Sequence, residues 1–146
     1  MNEKILKLIK DSENDSKKIS EESKKELINI CVEQMKKYYD VLKRYDRIEW
    51  YDVFYKYNPY ENKNLNFLYE INNHLLFYFL DYETDKDVQI YFPLNWFDNE
   101  IFEKFEKFQK DAYIKSLKNK IEYAETQIEK WKKYKEKYER EYEREN

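Results

Sequence analysis

Hydrophobic positions recur every three or four residues near both ends of the chain and every second residue between them. Near the start, Ile5, Leu8 and Ile9 have the spacing of one helical face and predict a short amphipathic helix over residues 2–10. The following stretch, residues 11–26, is almost entirely polar and mixes serine with both charges. It predicts a polar linker or a frayed, solvated helix.

A longer helix is predicted over residues 27–46. Ser23 and Glu26 fit a capping box, in which the two side chains bind free backbone N–H groups at a helix start. The apolar stripe that follows has alternating spacings of three and four, and it is formed by Ile28, Cys31, Met35, Tyr38, Leu42 and Tyr45.

The middle of the chain, residues 48–97, changes to a period of two and predicts an antiparallel meander of three to four strands. Turns are predicted at Asn72–His74, where Asn tolerates a left-handed backbone, and at Glu83–Asp87. The first strand places its apolar residues mainly on one face, namely Leu65, Phe67, Tyr69 and Ile71. The other predicted strands are Leu75–Tyr82, Val88–Phe92 and a fourth around Ile48–Tyr57.

These strands carry more aromatic side chains than one small core needs. If Phe77 and Phe79 face the core, the alternating residues lie on the opposite face, namely Leu76, Tyr78, Leu80 and Tyr91. Further aromatic residues lie in the predicted fourth strand or shortly after it, namely Trp50, Tyr51, Tyr55, Tyr57 and Tyr60. Either the chain's own helices cover both faces of the sheet, or one face is open to a partner.

No Pro or Gly interrupts the chain after Asp98, which can cap a helix, so residues 98–145 are predicted to form one long helix. As a helix, about 48 residues would span roughly 70 Å. A compact domain with the length of the whole chain has a radius of gyration of about 15 Å. A straight helix would therefore extend beyond its own domain. Its apolar stripe runs through Ile101, Phe105, Phe108 and Ala112, then shifts phase to Ile114, Leu117, Ile121, Ala124, Ile128 and Trp131, like a stutter in a coiled coil.

Together these elements predict a single α+β domain with N-terminal helices, a central antiparallel meander and a long C-terminal helix. The predicted segments of residues 1–146 are a short helix and polar linker (1–26), a helix (27–46), an antiparallel sheet (48–97) and a long helix (98–145).

The composition excludes several kinds of site. The 146 residues include no Gly, so the chain has no phosphate-binding glycine loop, dinucleotide fingerprint or nucleophile elbow. One Cys and one His cannot form a four-ligand zinc site or an intrachain disulfide. The longest apolar run, Leu75–Leu80, is far shorter than the ~20 residues of a membrane span. We therefore expect a soluble, cytoplasmic protein that uses no cofactor and no metal.

Three polar patterns each have a functional and a structural interpretation. His74 can serve acid–base chemistry or occupy a hairpin turn. The alternating acids of residues 81–87 suggest a cation loop, but the Gly and Glu of a calcium loop are missing, which favours a solvated turn. Residues 131–138 interleave Lys with aromatics, yet acids on the same helix oppose phosphate. We therefore expect no enzyme and no direct nucleic-acid ligand, and we expect Cys31 to be a core thiol.

The aromatic surplus instead favours a protein partner, because Tyr and Trp are enriched at interface hot spots. The predicted partner-binding residues are Tyr78, Tyr91, Trp96, Trp131, Tyr134 and Tyr138.

The segment Tyr91-Phe92-Pro93-Leu94-Asn95-Trp96-Phe97-Asp98, followed by a long charged helix, resembles small accessory proteins of phages and mobile elements of AT-rich bacteria. The resemblance covers residues 65–146. The resemblance implies that the protein inhibits bacterial defence by occluding a surface of a host nuclease. Anti-CRISPR proteins belong to this group of inhibitors. The resemblance assigns no catalytic or binding residues.

The leading prediction is therefore a non-enzymatic protein-binding protein that inhibits a bacterial CRISPR-type defence complex in the cytoplasm of the host. One alternative is a structural homodimer assembled through the coiled-coil-like stripe of the last helix. A second alternative is a nucleic-acid-binding accessory protein, although the net charge of −3 provides no strong field of one sign.

Overall fold

The fold is α+β, as predicted. Along the chain, helices precede and follow a three-stranded antiparallel sheet. The computed structural model describes Glu3, Ile5, Lys7, Leu8 and the ranges 20–61 and 64–146. Its elements are α1 (Glu21–Arg44), a 3-10 helix (Ile48–Trp50), α2 (Asp52–Lys56), β1 (Asn66–Ile71), β2 (His74–Asp81), β3 (Lys86–Pro93), a second 3-10 helix (Leu94–Phe97) and α3 (Asn99–Glu145). The chain divides into two compact units, residues 1–109 and residues 110–146.

The predicted N-terminal helix is confirmed where the structure describes it. Glu3, Ile5, Lys7 and Leu8 have helical backbone, and the side chains of Ile5 and Leu8 are buried in the core of the first unit. The predicted contribution of Ile9 and the predicted linker over residues 11–19 lie outside the described residues.

Helix α1 begins one turn earlier than the capping box predicts. Ser20, rather than Ser23, is the N-cap, and its hydroxyl oxygen accepts a hydrogen bond from the Ser23 N–H at 3.1 Å. Residues 21–26 are therefore helical and not a linker. Acids in the first turn (Glu21, Glu22) and bases in the last turn (Lys43, Arg44) match the helix dipole, which lets a helix extend beyond its apolar stripe.

The predicted fourth strand around Ile48–Tyr57 is wrong, because this segment forms the first 3-10 helix and α2. The alternating aromatic residues of this segment resemble the pattern of a strand. However, its two buried side chains are Phe54 and Tyr57, which are three residues apart. That spacing brings both residues to one side of a helical turn. The sheet therefore occupies residues 66–93 instead of 48–97.

The sheet has the order β1-β2-β3, with both neighbouring pairs antiparallel. The β1–β2 connection is the predicted asparagine turn: Asn72 and Asn73 adopt positive φ angles of 49° and 61°. A two-residue hairpin loop that matches the right-handed twist of its strands needs two consecutive residues with left-handed backbone conformation. The two Asn residues supply this conformation in a chain without Gly. The second predicted turn also holds, with Asp85 at a φ of 55°.

The inner face of the sheet packs on α1 through a core that is rich in aromatic rings. On β2 the inward residues are Leu75, Phe77 and Phe79, and Ile90 and Phe92 join them from β3. From α1, the buried residues of the cluster are Leu27, Cys31, Met35, Tyr38 and Leu42. The predicted stripe is therefore the packed face of α1, with Leu27 in place of the only partly buried Ile28.

Tyr38 and Trp96 form the most connected contact of this core. Their rings stack with centroids 4.0 Å apart and planes 7° apart. Trp96 also stacks on Phe54 of α2 at 5.8 Å, while Phe105 of α3 meets the edge of Tyr38 at 4.7 Å. The Gln34 side-chain amide donates to the Trp96 carbonyl at 2.6 Å, which fixes the backbone behind the ring.

Gln109 is a fully buried polar residue with both ends of its amide satisfied. Its nitrogen donates to the Tyr51 hydroxyl at 2.7 Å, and its oxygen accepts from the Arg47 guanidinium. Because a buried amide without partners is costly, this pair of bonds fixes the first turns of α3, residues 99–109, against the segment after α1.

The Tyr38 hydroxyl has no hydrogen-bond partner among the described residues, although it is buried. Burial, with a smaller contribution from the Asp98 carboxylate, raises the pKa of Tyr38. We expect Tyr38→Phe to keep or increase the free energy of unfolding by up to about 1 kcal/mol, because it removes an unsatisfied hydroxyl and keeps the ring. Tyr38→Ala should lower that free energy by about 3–5 kcal/mol. Urea unfolding of the two variants tests this, and a clear loss of stability in Tyr38→Phe would contradict it.

Burial also raises the pKa of the Cys31 thiol above its usual 9.0. Above pH 9 the unfolded chain loses this proton while the folded chain keeps it, so the thiol contributes stability below pH 9 that is lost at higher pH. We expect the free energy of unfolding to fall more steeply between pH 9 and 10 in the unchanged chain than in Cys31→Ala, by at most about 1.4 kcal/mol per pH unit. Equal slopes in urea titrations would show that Cys31 is not buried.

Candidate protein-binding surfaces

A β-bulge in β1 determines which side chains reach the outer face of the sheet. Phe67 pairs with Phe77, but the next pair is Tyr69 with Leu76, so Leu68 is an extra residue with no partner of its own. Because strand side chains alternate, one extra residue moves all later residues to the opposite face. Tyr69 and Ile71 were predicted on the core side with Phe67. The bulge places them on the outer face instead.

The centre of that face is a row of three residues across the three strands. Leu76 on β2 pairs with Tyr69 on β1 and with Tyr91 on β3. Leu76 is only 2% exposed, whereas Tyr69 is 44% and Tyr91 51% exposed. The two tyrosines are therefore the side chains that this row exposes, and tyrosine is among the residue types enriched at interface hot spots.

Other apolar side chains extend this row along the strands. Ile71 and Leu80 are each 41% exposed, and Tyr78 and His74 are half-buried on the same face of β2. The His74 ring meets the edge of Tyr91 at 6.5 Å, and its Nδ1 lies 2.8 Å from the Asn72 carbonyl oxygen. We define the outer face as Tyr69, Ile71, Leu76, Tyr78, Leu80 and Tyr91.

A cleft of about 1200 Å³ adjoins the outer face near the start of α1. Tyr78 and Leu80 line it together with charged residues of both signs, among them Lys24, Lys56 and Glu83. The cleft therefore provides a polar margin to the outer face.

The second unit contains an exposed apolar stripe on α3. It is formed by Ile114, Leu117, Ile121, Ala124, Ile128, Trp131, Tyr138 and Tyr142, and we call it the helical seam. The ring of Tyr134 lies beside it, 5.8 Å from Trp131 and 6.5 Å from Tyr138. Trp131 is 67% exposed and Tyr138 59%. Exposed apolar stripes of this length are typical of helices that bind another surface.

The structure divides the predicted partner-binding residues into three groups. Tyr78 and Tyr91 lie on the outer face, while Trp131, Tyr134 and Tyr138 lie on or beside the helical seam. Trp96 does not lie on a surface: it is 9% exposed and stacked inside the core, so its prediction as a partner-binding residue is corrected. The sequence reasoning missed Tyr69 and Ile71, and only the position of the bulge could have revealed them.

The residues considered for chemistry occupy structural positions. His74 begins β2 directly after the asparagine turn. Asp81 accepts hydrogen bonds from the Glu83 N–H and the Thr84 hydroxyl, and so holds the β2–β3 turn. Within the ranges 20–61 and 64–146 and the four described N-terminal residues, no cluster of His, Cys, Asp or Glu has the arrangement of a metal site. Cys31 is fully buried, as expected of a core thiol.

Comparisons with known proteins contribute no relative. No protein-family model, curated protein or solved structure matches this chain. Among the helices in the described part of the chain, none combines the length and the apolar character that crossing a membrane requires.

The position of Trp96 can be tested against a second tryptophan of the same unit. We expect Trp96→Ala to lower the free energy of unfolding by about 3–5 kcal/mol, because it opens a cavity among stacked rings. Trp50 is 68% exposed and contacts the Arg47 guanidinium at 4.9 Å, so Trp50→Ala should cost about 1 kcal/mol or less. Similar losses for the two variants in chemical denaturation would contradict the core assignment of Trp96.

Proposed function

We propose that this chain is a non-enzymatic protein-binding protein that contacts its partner through the outer face of the sheet. The observation that supports this proposal is the row Tyr69–Leu76–Tyr91, where two half-exposed tyrosines flank a buried leucine on a face that also exposes Ile71 and Leu80. Groups of exposed apolar side chains are uncommon on proteins that work alone, and tyrosine is among the residues that contribute most to binding energy.

The chemistry of the outer face supports a protein rather than a small molecule or a nucleic acid as its ligand. The face is a sheet surface and not a deep pocket, whereas small ligands are usually enclosed in concave sites. It carries no Lys or Arg among Tyr69, Ile71, Leu76, Tyr78, Leu80 and Tyr91. Binding to phosphates depends on such cations. An apolar sheet surface that exposes tyrosines suits a protein surface instead.

The partner class comes from the resemblance of residues 65–146 to accessory proteins of phages and mobile elements. It makes a nuclease complex of bacterial defence the partner to test first, with the chain acting by occlusion in the cytoplasm of the host. Occlusion requires only affinity and shape, and therefore no catalytic group.

A second candidate function is self-association through the helical seam. It is favoured by a separate observation, the exposure of that stripe in residues 110–146. The two functions use different residues and can coexist in one chain.

The proposed function predicts that Tyr69→Ser/Tyr91→Ser abolishes partner binding without unfolding the chain. Removal of two interface tyrosines should weaken affinity by about 100-fold or more, because each hot-spot side chain contributes about 2 kcal/mol. The measurement is inhibition of DNA cleavage by purified CRISPR-type nuclease complexes, followed by titration calorimetry with any complex that is inhibited.

The matched control is Tyr60→Ser/Tyr123→Ser, since these tyrosines are 55% and 68% exposed but lie outside the outer face and outside the cleft that adjoins it. This control should bind like the unchanged chain. If both double variants lose binding equally, or if the outer-face variant retains it, the proposed surface is wrong. If no nuclease complex is inhibited, the proposed partner class is wrong.

A further inference from the structure

The helical seam follows a heptad repeat over residues 114–142, within the second unit of the chain. Core position a is occupied by Ile114, Ile121, Ile128, Lys135 and Tyr142, and core position d by Leu117, Ala124, Trp131 and Tyr138. These four heptads correspond to about 42 Å of helix. All of these core positions except Lys135 are apolar or aromatic, and a repeat of that length is the pattern of a coiled coil.

A parallel pair of such helices would place each core residue against its own copy. Lys135 would then face Lys135, which buries two like charges. Trp131 would face Trp131 and Ala124 would face Ala124, so the largest and the smallest side chains would each be paired in one layer. The layer of two Trp131 side chains would be overfilled, and the layer of two Ala124 side chains would leave a cavity. Both defects destabilise a core.

Next consider an antiparallel pair whose two-fold axis, its centre, passes between residues 129 and 130 of both helices. In this pair, the side chains that face each other in a layer differ in size. Position a then faces position d of the other copy, so that Ile128 packs against Trp131 and Ile121 against Tyr138. Lys135 faces Ala124, whose small side chain leaves room for the aliphatic part of the lysine while its ammonium reaches water. Tyr142 faces Leu117. Each of these four layers combines a larger side chain with a smaller one, while Ile114 lies beyond them, opposite Glu145.

The charged residues beside the seam select the same register. In this antiparallel arrangement Lys118 lies beside Glu139 of the other copy, Glu125 beside Lys132, and Lys120 beside Glu141. All six side chains are exposed on α3. The two-fold relation repeats each contact, and no like-charged pair occurs at these flanking positions.

Shifting the antiparallel pair by one heptad removes this complementarity. In one direction Lys118 meets Lys132 and Glu125 meets its own copy. In the other direction Glu125 meets Glu139 and Lys132 meets its own copy. Because like charges at flanking positions are repulsive, these registers are disfavoured.

From this pattern we infer that the partner of the helical seam is a second copy of this chain, bound antiparallel with its centre between residues 129 and 130. The inference rests on the second candidate function, self-association through the helical seam, and adds to it the orientation and register of the two helices.

Cysteine cross-linking of the full chain tests the orientation. Cys31 is fully buried, so one introduced cysteine is the accessible thiol. Ile121→Cys and Tyr138→Cys, one of them carrying an affinity tag, are mixed and oxidised. The antiparallel register predicts a mixed disulfide, whereas two copies of residue 121 would lie about 25 Å apart, too far for a disulfide.

Homodisulfides of each variant would show a parallel pair and overturn the inference. Thr126→Cys, on the side of the helix away from the seam, measures cross-linking by random collision. Light scattering of the unchanged chain should give twice 18.5 kDa at micromolar concentrations. A monomer mass throughout that range would also overturn the inference.

Charge reversal tests the register independently. Lys118→Glu/Lys120→Glu should raise the dimer dissociation constant at least about tenfold, and adding Glu139→Lys/Glu141→Lys should restore it to within about threefold. A parallel dimer would not be restored, because residue 120 would still face Glu125. The matched control, Lys130→Glu/Lys133→Glu, makes the same change of charge away from the seam and should dimerise normally. Failure of the four-residue variant to recover, with helicity unchanged by circular dichroism, would refute this register.

Discussion

The stacking of Tyr38 on Trp96 is the contact on which the arrangement of the first unit depends. Tyr38 comes from α1, and Trp96 from the short 3-10 helix between the sheet and α3. Phe54 of α2 and Phe105 of α3 pack on the same two rings. Four elements from different parts of the first unit therefore meet at one point. About half of the buried core side chains are aromatic, and their ring contacts add specific geometry to the burial of apolar area.

Elements with a strong local signal could be predicted from the sequence. The stripe of α1 and the asparagine turn at Asn72 depend on spacing and on backbone preference, which neighbouring residues determine. The helical seam is visible for the same reason, since its period lies within one element. Of the outer face, Leu76, Tyr78, Leu80 and Tyr91 were predictable because β2 and β3 pair without interruption.

The failures concern features that tertiary packing determines. The segment Ile48–Tyr57 has the composition of a strand, but burial of Phe54 and Tyr57 against α1 and the sheet stabilises a helical turn. Trp96 has the residue type of an interface, and only its stacking on Tyr38 shows that it belongs to the core. The bulge at Leu68 does not alter the pattern of apolar residues in the sequence. That pattern therefore could not show that Tyr69 and Ile71 lie on the outer face.

The bulge makes the pairing register of β1 as important to the surface as the identity of its residues. If Leu68 paired within the ladder instead of forming a bulge, the alternation would continue unbroken from Phe67, and Tyr69 and Ile71 would turn inward with no change in the sequence. The surface of this sheet would then lose its central row. A shift of one residue in backbone pairing would thus act here like several simultaneous substitutions, and the hydrogen-bond register itself becomes a determinant of recognition.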